Sequence, residues 1–460
     1  MNFEVTEEFI DQVSVAIRSN DIKWLDKQLK KLHAADIAEI LNEINLEEGK
    51  RLYYFLDEKI AADALIEMEE DKREDFLALL TSEQIADQID HLPSDEAADM
   101  ISELPAKIQD EVLREIEKDD AAQASDIVDL LKYDENTAGG IMQKELVRVR
   151  SDRNMIDCVR ELRKHADRIE DVFAIYVVDE GDRLVGLIPL KRILTVSLKT
   201  PITEVYDPEV FSVKTNMDAE EVAKVMEKYN LVFVSVVDGL GRLVGRITID
   251  DVVDVIRAEE TEDVQKMAAV GVLDDSYMSS SVFEIIKKRS GWLMILFVGE
   301  SFTATAMSFF EDQIAKAVVL ALFVPLIISS GGNTGSQAST LIIRSLALGE
   351  VTVRDWWEIF RKEIKVGLIL GLILGTFGFL RVAVWSSFVD VYGPHWLPVA
   401  YTVGFSLMGV VLWGNLMGTV FPFILKRSGL DPAVSSAPFV ATMVDITGLL
   451  IYFTIATTVS

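Results

Sequence analysis

Five long apolar stretches in the last 170 residues of this 460-residue chain constrain its fold more than any other feature. Each has at least the roughly 20 residues that a helix needs to cross a bilayer. None contains more than one charged residue. The stretches occupy residues 291–310, 314–343, 366–389, 396–425 and 433–460. We therefore expect a membrane domain of five helices within residues 286–460.

Charge is distributed unevenly along the chain. Residues 287–460 hold 12 basic and 10 acidic residues, whereas residues 1–286 carry a net charge of −32. This division indicates acidic domains outside the membrane. Because a phosphate backbone requires a basic protein face, the composition argues against nucleic acid as a partner. The single cysteine, Cys158, and the four scattered histidines argue against a disulfide framework and against a zinc centre.

Basic residues mark the loops that we expect on the cytoplasmic side. They precede the first apolar stretch at 287–289, separate the second from the third at 344–365, and separate the fourth from the fifth at 426–427. The N-terminus has acidic residues where a signal peptide would have a basic segment. We expect a multi-pass protein of the cell (inner or plasma) membrane, with cytoplasmic N-terminal domains and an external C-terminus.

Three acidic residues at or near membrane depth are candidate pore residues. Asp445 lies in the middle of the last stretch, where an ionised carboxylate is unfavourable unless it is paired or hydrated. It is either a protonated or ion-paired structural residue or, as we favour, a cation site in a hydrated pore. Glu300 either lines the same pore or bonds to a neighbouring helix. Asp431, which precedes Pro432, either caps a helix or lies at the inner pore mouth.

The second apolar stretch contains a run of Ser, Gly, Asn, Thr and Gln at 329–337. We expect this run to interrupt the helix, because glycine frees backbone carbonyl groups to face an ion. Irregular backbone at this depth is tolerated only beside protein or a water-filled cavity. A pore lining is our preferred interpretation, and close helix packing through small residues is the alternative.

An internal repeat occupies the middle of the chain. Residues 173–188 and 232–247 each combine two β-rich runs around an Asp/Gly turn, and the same register returns 59 residues later. Helix-like segments flank each copy. The doubled pattern resembles a CBS-domain pair at 136–258, with copies at about 136–199 and 200–258. The resemblance implies an α/β fold and an adenine nucleotide, such as ATP, in the cleft.

The second copy carries the better candidate nucleotide site. Thr248 and Asp251 match the ribose-contacting Gly-x-x-Thr-x-x-Asp pattern of that family, and a hydroxyl with a carboxylate can bond to ribose hydroxyl groups. Pro189 and Lys191 stand in the corresponding part of the first copy, which lacks this pair. We expect at most one nucleotide per pair, and a purely structural pair is equally compatible with the sequence.

Acidic residues dominate the remaining segments. Residues 1–135 have the pattern of short amphipathic helices, which predicts an all-α superhelical domain. Within it, Asp95 and Asp99 share one helix face. We predict an acidic connecting helix at 259–285. The candidate metal ligands before it and at its start are Asp250, Asp251, Asp254, Glu259, Glu262 and Asp263. Because Mg²⁺ prefers oxygen ligands, we favour a metal site slightly over a solvated acidic face.

Four motifs together resemble the MgtE family of magnesium channels and transporters. They are TAGGIM at 137–142, the run from Pro325 to Ala338, GLDPA at 429–433 and ATMVDITG at 441–448. The resemblance covers nearly the whole chain and implies a transport protein rather than an enzyme. The implied fold is a multidomain membrane protein, with an all-α N-terminal superhelical domain, an α/β CBS-domain pair and a five-helix α transmembrane domain.

The resemblance also implies a mechanism. Two copies form a homodimer in the lipid membrane, with one Mg²⁺-selective pore on the two-fold axis. The residues implied around the hydrated pore Mg²⁺ are Asp445 and the backbone at Ala441, Gly331, Gly332 and Asn333. Cytosolic Mg²⁺ between Asp95, Asp99 and the acidic connecting-helix surface closes the pore, and ATP modulates it. The alternatives are transport of Co²⁺ or Mn²⁺, a carrier, and a nucleotide-sensing membrane protein without a pore.

Overall fold

The computed structural model describes residues 5–166, 169, 172–273, 277–278, 280–311, 318–388, 392, 396–434 and 436–459. The chain divides into two compact units, Met1–Glu259 and Glu260–Ser460. The first unit contains short helices followed by two small sheets. The second contains the long apolar helices.

Short helices with polar caps form the N-terminal part of the first unit. The side chains of Thr6, Asp21 and Asn45 each accept a backbone hydrogen bond at a helix start. Along the chain, the third helix packs on the fifth, the fifth on the seventh and the seventh on the ninth. This arrangement confirms the predicted all-α domain. In chain order the helices are α1 (Glu7–Ser19), α2 (Ile22–Leu29), α3 (Ala34–Glu43), α4 (Leu46–Tyr53), α5 (Glu58–Ile66), α6 (Glu70–Leu77), α7 (Ser82–Ile89), α8 (Ser94–Ser102), α9 (Ala106–Asp119) and α10 (Ala121–Leu130).

Two three-stranded sheets follow, and each combines one parallel with one antiparallel pairing. The elements are β1 (Arg148–Arg150), α11 (Met155–Lys164), β2 (Ala174–Val178), β3 (Leu184–Pro189), α12 (Leu190–Thr195), β4 (Ser212–Lys214), α13 (Ala219–Tyr229), β5 (Phe233–Val237) and β6 (Leu243–Thr248). The sheet orders are β1-β2-β3 and β4-β5-β6. In both hairpins an aspartate, Asp179 or Asp238, accepts two backbone hydrogen bonds from its own turn. The doubled hairpin predicted from the repeat is therefore confirmed.

A long acidic helix follows the second sheet directly. This helix, α14, spans Ile249–Met267, whereas the sequence predicted a connecting helix over 259–285. It starts earlier because the backbone continues into a helix at the end of β6, where the Asp251 carboxylate accepts a hydrogen bond from the Thr248 backbone amide. It ends where Ala269 adopts a left-handed conformation with φ of 57°.

Within the described residues of the second unit, four helical segments are long and apolar enough to cross a membrane. These segments are Val318–Ala347, Val353–Ser386, Trp396–Arg427 and Ala437–Val459. The individual helices are α15 (Val282–Ser308), α16 (Val318–Ala321), α17 (Val324–Ala347), α18 (Trp356–Ser386), α19 (Trp396–Arg427) and α20 (Ala437–Val459). The first of the five predicted spans falls on α15, which has 27 residues but carries basic residues and Glu300. Its membrane crossing stays a prediction.

The glycine-rich run at 329–337 does not interrupt its helix, so the expected irregular turn is wrong. α17 is continuous through the run. The physical reason is close packing, since Gly331 and Gly335 face the backbone of Gly414 and Gly418 on α19. The helical hydrogen bonds stay intact, and the missing side chains allow the two backbones to approach each other.

Candidate functional site

Asp445 lies where α20 meets α17 and α15. A Cβ added to Gly332 would lie 3.7 Å from Asp445 Oδ1 and 3.5 Å from the Ala441 Cβ. The Glu300 carboxyl group of α15 lies within hydrogen-bonding reach of the Asp445 carboxyl group. The structure therefore brings Asp445, Ala441, Gly332 and Glu300 together from three helices.

Two other residues predicted for the pore have different surroundings. A Cβ on Gly331 would collide with Val410 at 2.4 Å, so this glycine faces the α19 interface. Asn333 is exposed on the surface of the protomer. Gly331 thus packs helices together, whereas Asn333 is accessible to a second copy, to lipid or to solvent.

Polar contacts between helices set the rotation of α20. The Ser336 hydroxyl of α17 donates to the Ala437 carbonyl oxygen at 3.0 Å, at the start of α20. Farther along, Trp413 Nε1 of α19 donates to Thr447 Oγ1 at 2.7 Å. Because these contacts lie on either side of Asp445, they hold its carboxylate towards Gly332.

A second group of carboxylates, the cytosolic acidic cluster, lies in the first unit and comprises Asp95, Glu96, Asp99, Asp250 and Asp251. Asp95 is 5% exposed. Its Oδ2 accepts a hydrogen bond from Gln143 Nε2 at 3.2 Å. Its Oδ1 is buried and has no hydrogen-bond partner within the part of the chain that the structure describes. A buried, unsatisfied carboxylate oxygen is unfavourable, so this atom is suited to a cation.

Burial and mutual repulsion raise the pKa values of the cluster. Burial, followed by the charge of Asp251, raises the pKa of Glu96 to about 8 and that of Asp95 well above its usual range. Burial and Asp250 raise the pKa of Asp251 to about 6. A bound proton or a bound cation would relieve both effects.

The cluster fits a hydrated cation better than a dehydrated one. Among the residues that the structure describes, no three His, Cys, Asp or Glu side chains converge closely enough to hold a metal ion directly. Mg²⁺ dehydrates reluctantly and commonly keeps several of its waters when it binds. The buried, unpaired Asp95 oxygen, with half-buried Glu96 and Asp251 and exposed Asp99 and Asp250 around it, suits that mode of binding.

The remaining acidic candidates lie on α14 and beyond it. Asp254 is exposed and pairs with Arg257 at 3.7 Å. Glu259 and Asp263 are half-buried. Glu262 and Asp431 each form an ion pair with Lys266. Asp431 directly precedes the short 3-10 turn Pro432–Val434, and its role stays a prediction.

The two residues of the predicted ribose-contacting pair form a hydrogen bond with each other. Thr248 Oγ1 donates to Asp251 Oδ2 at 2.9 Å. Thr248 also lines a cavity of about 1150 Å³ in the first unit. The basic side chains along this cavity belong to Lys59, Lys144, Arg148, Lys164 and Arg246. Eight carboxylates line it as well: Asp63, Glu67, Asp90, Glu96, Asp126, Glu145, Glu161 and Asp250. The cavity thus has room for a ligand of nucleotide size, but its lining is not selective for an anion.

Glu96 was missed by the sequence reasoning. It stands between the two predicted ligands Asp95 and Asp99, but an i+1 position on a helix does not share their face. Only the fold shows that α8 is enclosed on several sides, so that Glu96 also enters the cluster. The signal available in the sequence was the density of acid itself, in Ser94-Asp95-Glu96.

Comparisons with known proteins identify the family. Family models match residues 32–136 (MgtE intracellular N domain), residues 138–199 and 202–258 (CBS domain) and residues 324–455 (MgtE, divalent cation transporter). The magnesium transporter MgtE of Thermus thermophilus is 38% identical over 453 residues, which cover 96% of each chain. The chain belongs to the MgtE family. The resemblance drawn from the four motifs is thereby confirmed.

Other MgtE relatives are also similar over most of their length. The magnesium transporter MgtE of Enterococcus faecalis is 33% identical, with 92% of this chain and 91% of the relative covered. A crystal structure of the cytosolic domain of the Mg²⁺ channel MgtE in complex with ATP is 30% identical. It covers 54% of this chain and 99% of its own, with a TM-score of 0.49.

The raised pKa values predict that, without divalent cations, the first unit of this MgtE chain loses stability as pH rises. A carboxylate with a raised pKa binds more protons in the folded state than in the unfolded chain. The free energy of unfolding therefore falls between the unfolded pKa, about 4, and the folded values, which reach about 8. Each pH unit in this window costs about 1.4 kcal/mol per affected carboxylate.

Thermal unfolding of the full chain in detergent, with chelator or with excess Mg²⁺, measures this effect. Mg²⁺ should restore the most stability at the upper end of the pH range. The Glu96→Gln variant should show a flatter pH dependence in chelator, whereas Asp110→Asn, at an exposed position on α9, should behave like the wild type. A pH-independent difference between chelator and Mg²⁺ would contradict the prediction.

Proposed function

We propose that this MgtE chain forms a Mg²⁺-selective channel for magnesium uptake that cytosolic Mg²⁺ closes. The observation that supports conduction most strongly is the position of Asp445, beside Gly332 and Glu300 and within a helix apolar enough to span a membrane. Intramembrane carboxylates are costly and are typically functional. The names of the relatives as magnesium transporters support Mg²⁺ as the transported ion.

The transported ion would meet Asp445 with its water shell. Hydrated Mg²⁺ is large, and its waters can donate hydrogen bonds to a carboxylate and to carbonyl oxygens. Gly332 carries no side chain that would fill the space in front of Asp445 Oδ1. In a homodimer whose two-fold axis passes near α17 and α20, the two Asp445 carboxylates would face one shared ion path, and Asn333 would lie on the surface available to the partner.

Regulation would act through the cytosolic acidic cluster. Asp95 is buried, Asp251 is half-buried, and their charges repel each other. Bound Mg²⁺ supplies the positive charge that offsets this repulsion. The same carboxylates favour separation of α8 from the start of α14 when they are ionised and unpaired. Because a cation binds the compact arrangement better than the separated one, it shifts the population towards the compact, closed state.

ATP is the proposed modulating ligand. The cavity beside Thr248 has room for a ligand of this size, and the Lys and Arg side chains among its lining could meet the phosphates. Strand β6, which lines the cavity, continues directly into α14, because β6 ends at Thr248 and α14 begins at Ile249. Occupancy of the cavity would therefore change the position of the helix that carries Asp251.

Patch recordings with titrated cytosolic Mg²⁺ test the gating proposal. We expect wild-type currents at low cytosolic Mg²⁺ that decline as Mg²⁺ rises. The Asp95→Asn/Asp251→Asn variant should need a several-fold higher Mg²⁺ concentration for closure, because it removes two repelling charges and two cation contacts. Asp110→Asn serves as the matched control, since it removes one exposed acid from the same domain. Wild-type inhibition by Mg²⁺ in the double variant would refute the role of the cluster.

A further inference from the structure

Lys266, near the end of α14, lies between two carboxylates. Its Nζ donates to Asp431 Oδ2 at 2.7 Å and also pairs with Glu262 one turn earlier on α14. The Lys266 and Asp431 side chains are 29% and 35% exposed, so both are partly shielded from water. Although partial burial opposes the charged form, the hydrogen bonds with Asp431 and Glu262 raise the pKa of Lys266. The ammonium group is therefore charged at neutral pH.

Asp431 connects this contact to the start of α20. While its Oδ2 accepts from Lys266, its Oδ1 accepts a hydrogen bond from the Ala433 backbone amide at 2.8 Å. That amide belongs to the short 3-10 turn Pro432–Val434, which leads into α20. At 1.5 Å per residue, Asp445 lies about 12 Å along α20 from its first residue. A shift of the turn would therefore be transmitted to Asp445.

The end of α14 is also attached to α15. The Gly271 amide donates to the Lys288 carbonyl oxygen at 2.9 Å. The Gln265 side chain accepts a hydrogen bond from the Leu273 amide at 2.8 Å, which folds the segment after α14 back onto the helix. The end of α14 and the segment that follows it thus join α15, which carries Glu300, to the turn before α20.

We propose that Lys266 is a positioning residue for transport: it holds the end of α14 against the turn that begins α20, and thereby links the orientation of Asp445 to α14. The inference rests on the proposed function of Asp445. Two facing carboxylates, Glu262 and Asp431, would otherwise repel each other. Lys266 supplies positive charge between them as part of the chain.

Hydrogen–deuterium exchange of the full chain in detergent and chelator tests the contact without any transport step. In Lys266→Gln, amide exchange at 429–436 and 262–273 should rise several-fold, whereas Lys266→Arg should stay close to the wild type. Lys426→Gln, which removes the same charge at an exposed position in the last turn of α19, should leave both segments unchanged. The Lys266→Gln/Asp431→Asn double variant should exchange no faster than Asp431→Asn alone, because both changes remove one shared contact.

Mg²⁺ uptake by the same variants tests the positioning role. We expect several-fold slower uptake in Lys266→Gln and near wild-type uptake in Lys266→Arg. Unchanged exchange in Lys266→Gln, or additive exchange in the double variant, overturns the contact. Faster exchange with unchanged uptake overturns the positioning role. A wild-type chain that transports no Mg²⁺ refutes the proposed function instead, and the exchange data would still decide whether Lys266 holds the junction.

Discussion

Replacing Asp445 with alanine is expected to abolish Mg²⁺-dependent growth of a cell that lacks its own magnesium importers. The wild-type chain should restore growth, and the variant should behave as the empty vector does. Removing one partner from a desolvated charge interaction costs about 2–5 kcal/mol, which corresponds to a loss of about 30-fold to more than 1000-fold. Expression and membrane insertion of both proteins are measured in parallel.

Companion variants separate the charge of Asp445 from its volume. Asp445→Asn keeps the size and polarity of the side chain, so failure of this variant as well would attribute transport to the negative charge. Thr454→Val, at an exposed position on the same helix, should transport normally. Glu300→Gln should have an intermediate effect, because it removes the neighbouring carboxylate and leaves Asp445 in place. Equal growth with the wild type and Asp445→Ala would remove Asp445 from the mechanism.

Replacing Gly418 with alanine is expected to prevent the membrane domain from folding. A Cβ at this position would lie 2.0 Å from the Gly335 carbonyl oxygen and 2.9 Å from its carbonyl carbon. Both are backbone atoms, which cannot rotate away, so α17 and α19 would have to separate. Ordinary overpacking costs about 1–3 kcal/mol, and a backbone collision exceeds that range. The gain of about 0.5–1 kcal/mol from removing a helical glycine does not compensate.

The yield of monodisperse protein after detergent extraction and its melting temperature measure this effect. Gly291→Ala provides the matched control, because nothing lies within 4 Å of a Cβ at that position on α15. Gly332→Ala should also fold, since its nearest contact would be 3.5 Å, an ordinary van der Waals separation. A Gly418→Ala protein with wild-type yield and melting temperature would show that the two helices are not packed as closely as described.

The Gly418→Ala and Gly332→Ala variants test different properties of the membrane domain. Gly418→Ala tests packing, and its failure says nothing about ion passage. Gly332→Ala places a methyl group 3.7 Å from Asp445 Oδ1, so a folded protein with reduced uptake would indicate that space in front of Asp445 is needed for the hydrated ion. Together they distinguish the glycines that join helices from the one that faces the carboxylate.

Several features followed from the sequence because they depend on local patterns. Runs of at least 20 apolar residues have few alternatives to membrane helices. The Asp/Gly turns at Asp179 and Asp238 predicted hairpins because an aspartate side chain can accept the amide hydrogen bonds of its own turn. Pattern and family resemblance thus gave the domain order, the repeat and the membrane segment.

Other features depended on contacts between distant parts of the chain. The run at 329–337 contains residues that favour irregular backbone, yet it stays helical because Gly414 and Gly418, some 80 residues later, pack against it. The membership of Glu96 in the acidic cluster required the burial of α8. The ion pair between Lys266 and Asp431 joins residues 165 positions apart, and no local period predicts it.

The sequence by itself determined which segments are apolar, which are acidic and where turns and caps occur, because these properties arise from neighbouring residues. The tertiary structure alone decided which carboxylates meet, which glycines join helices and which lysine lies between Glu262 and Asp431. The physical reason is that desolvation, steric contact and charge pairing depend on distances in space. Chain folding sets those distances between residues whose separation in sequence carries no such information.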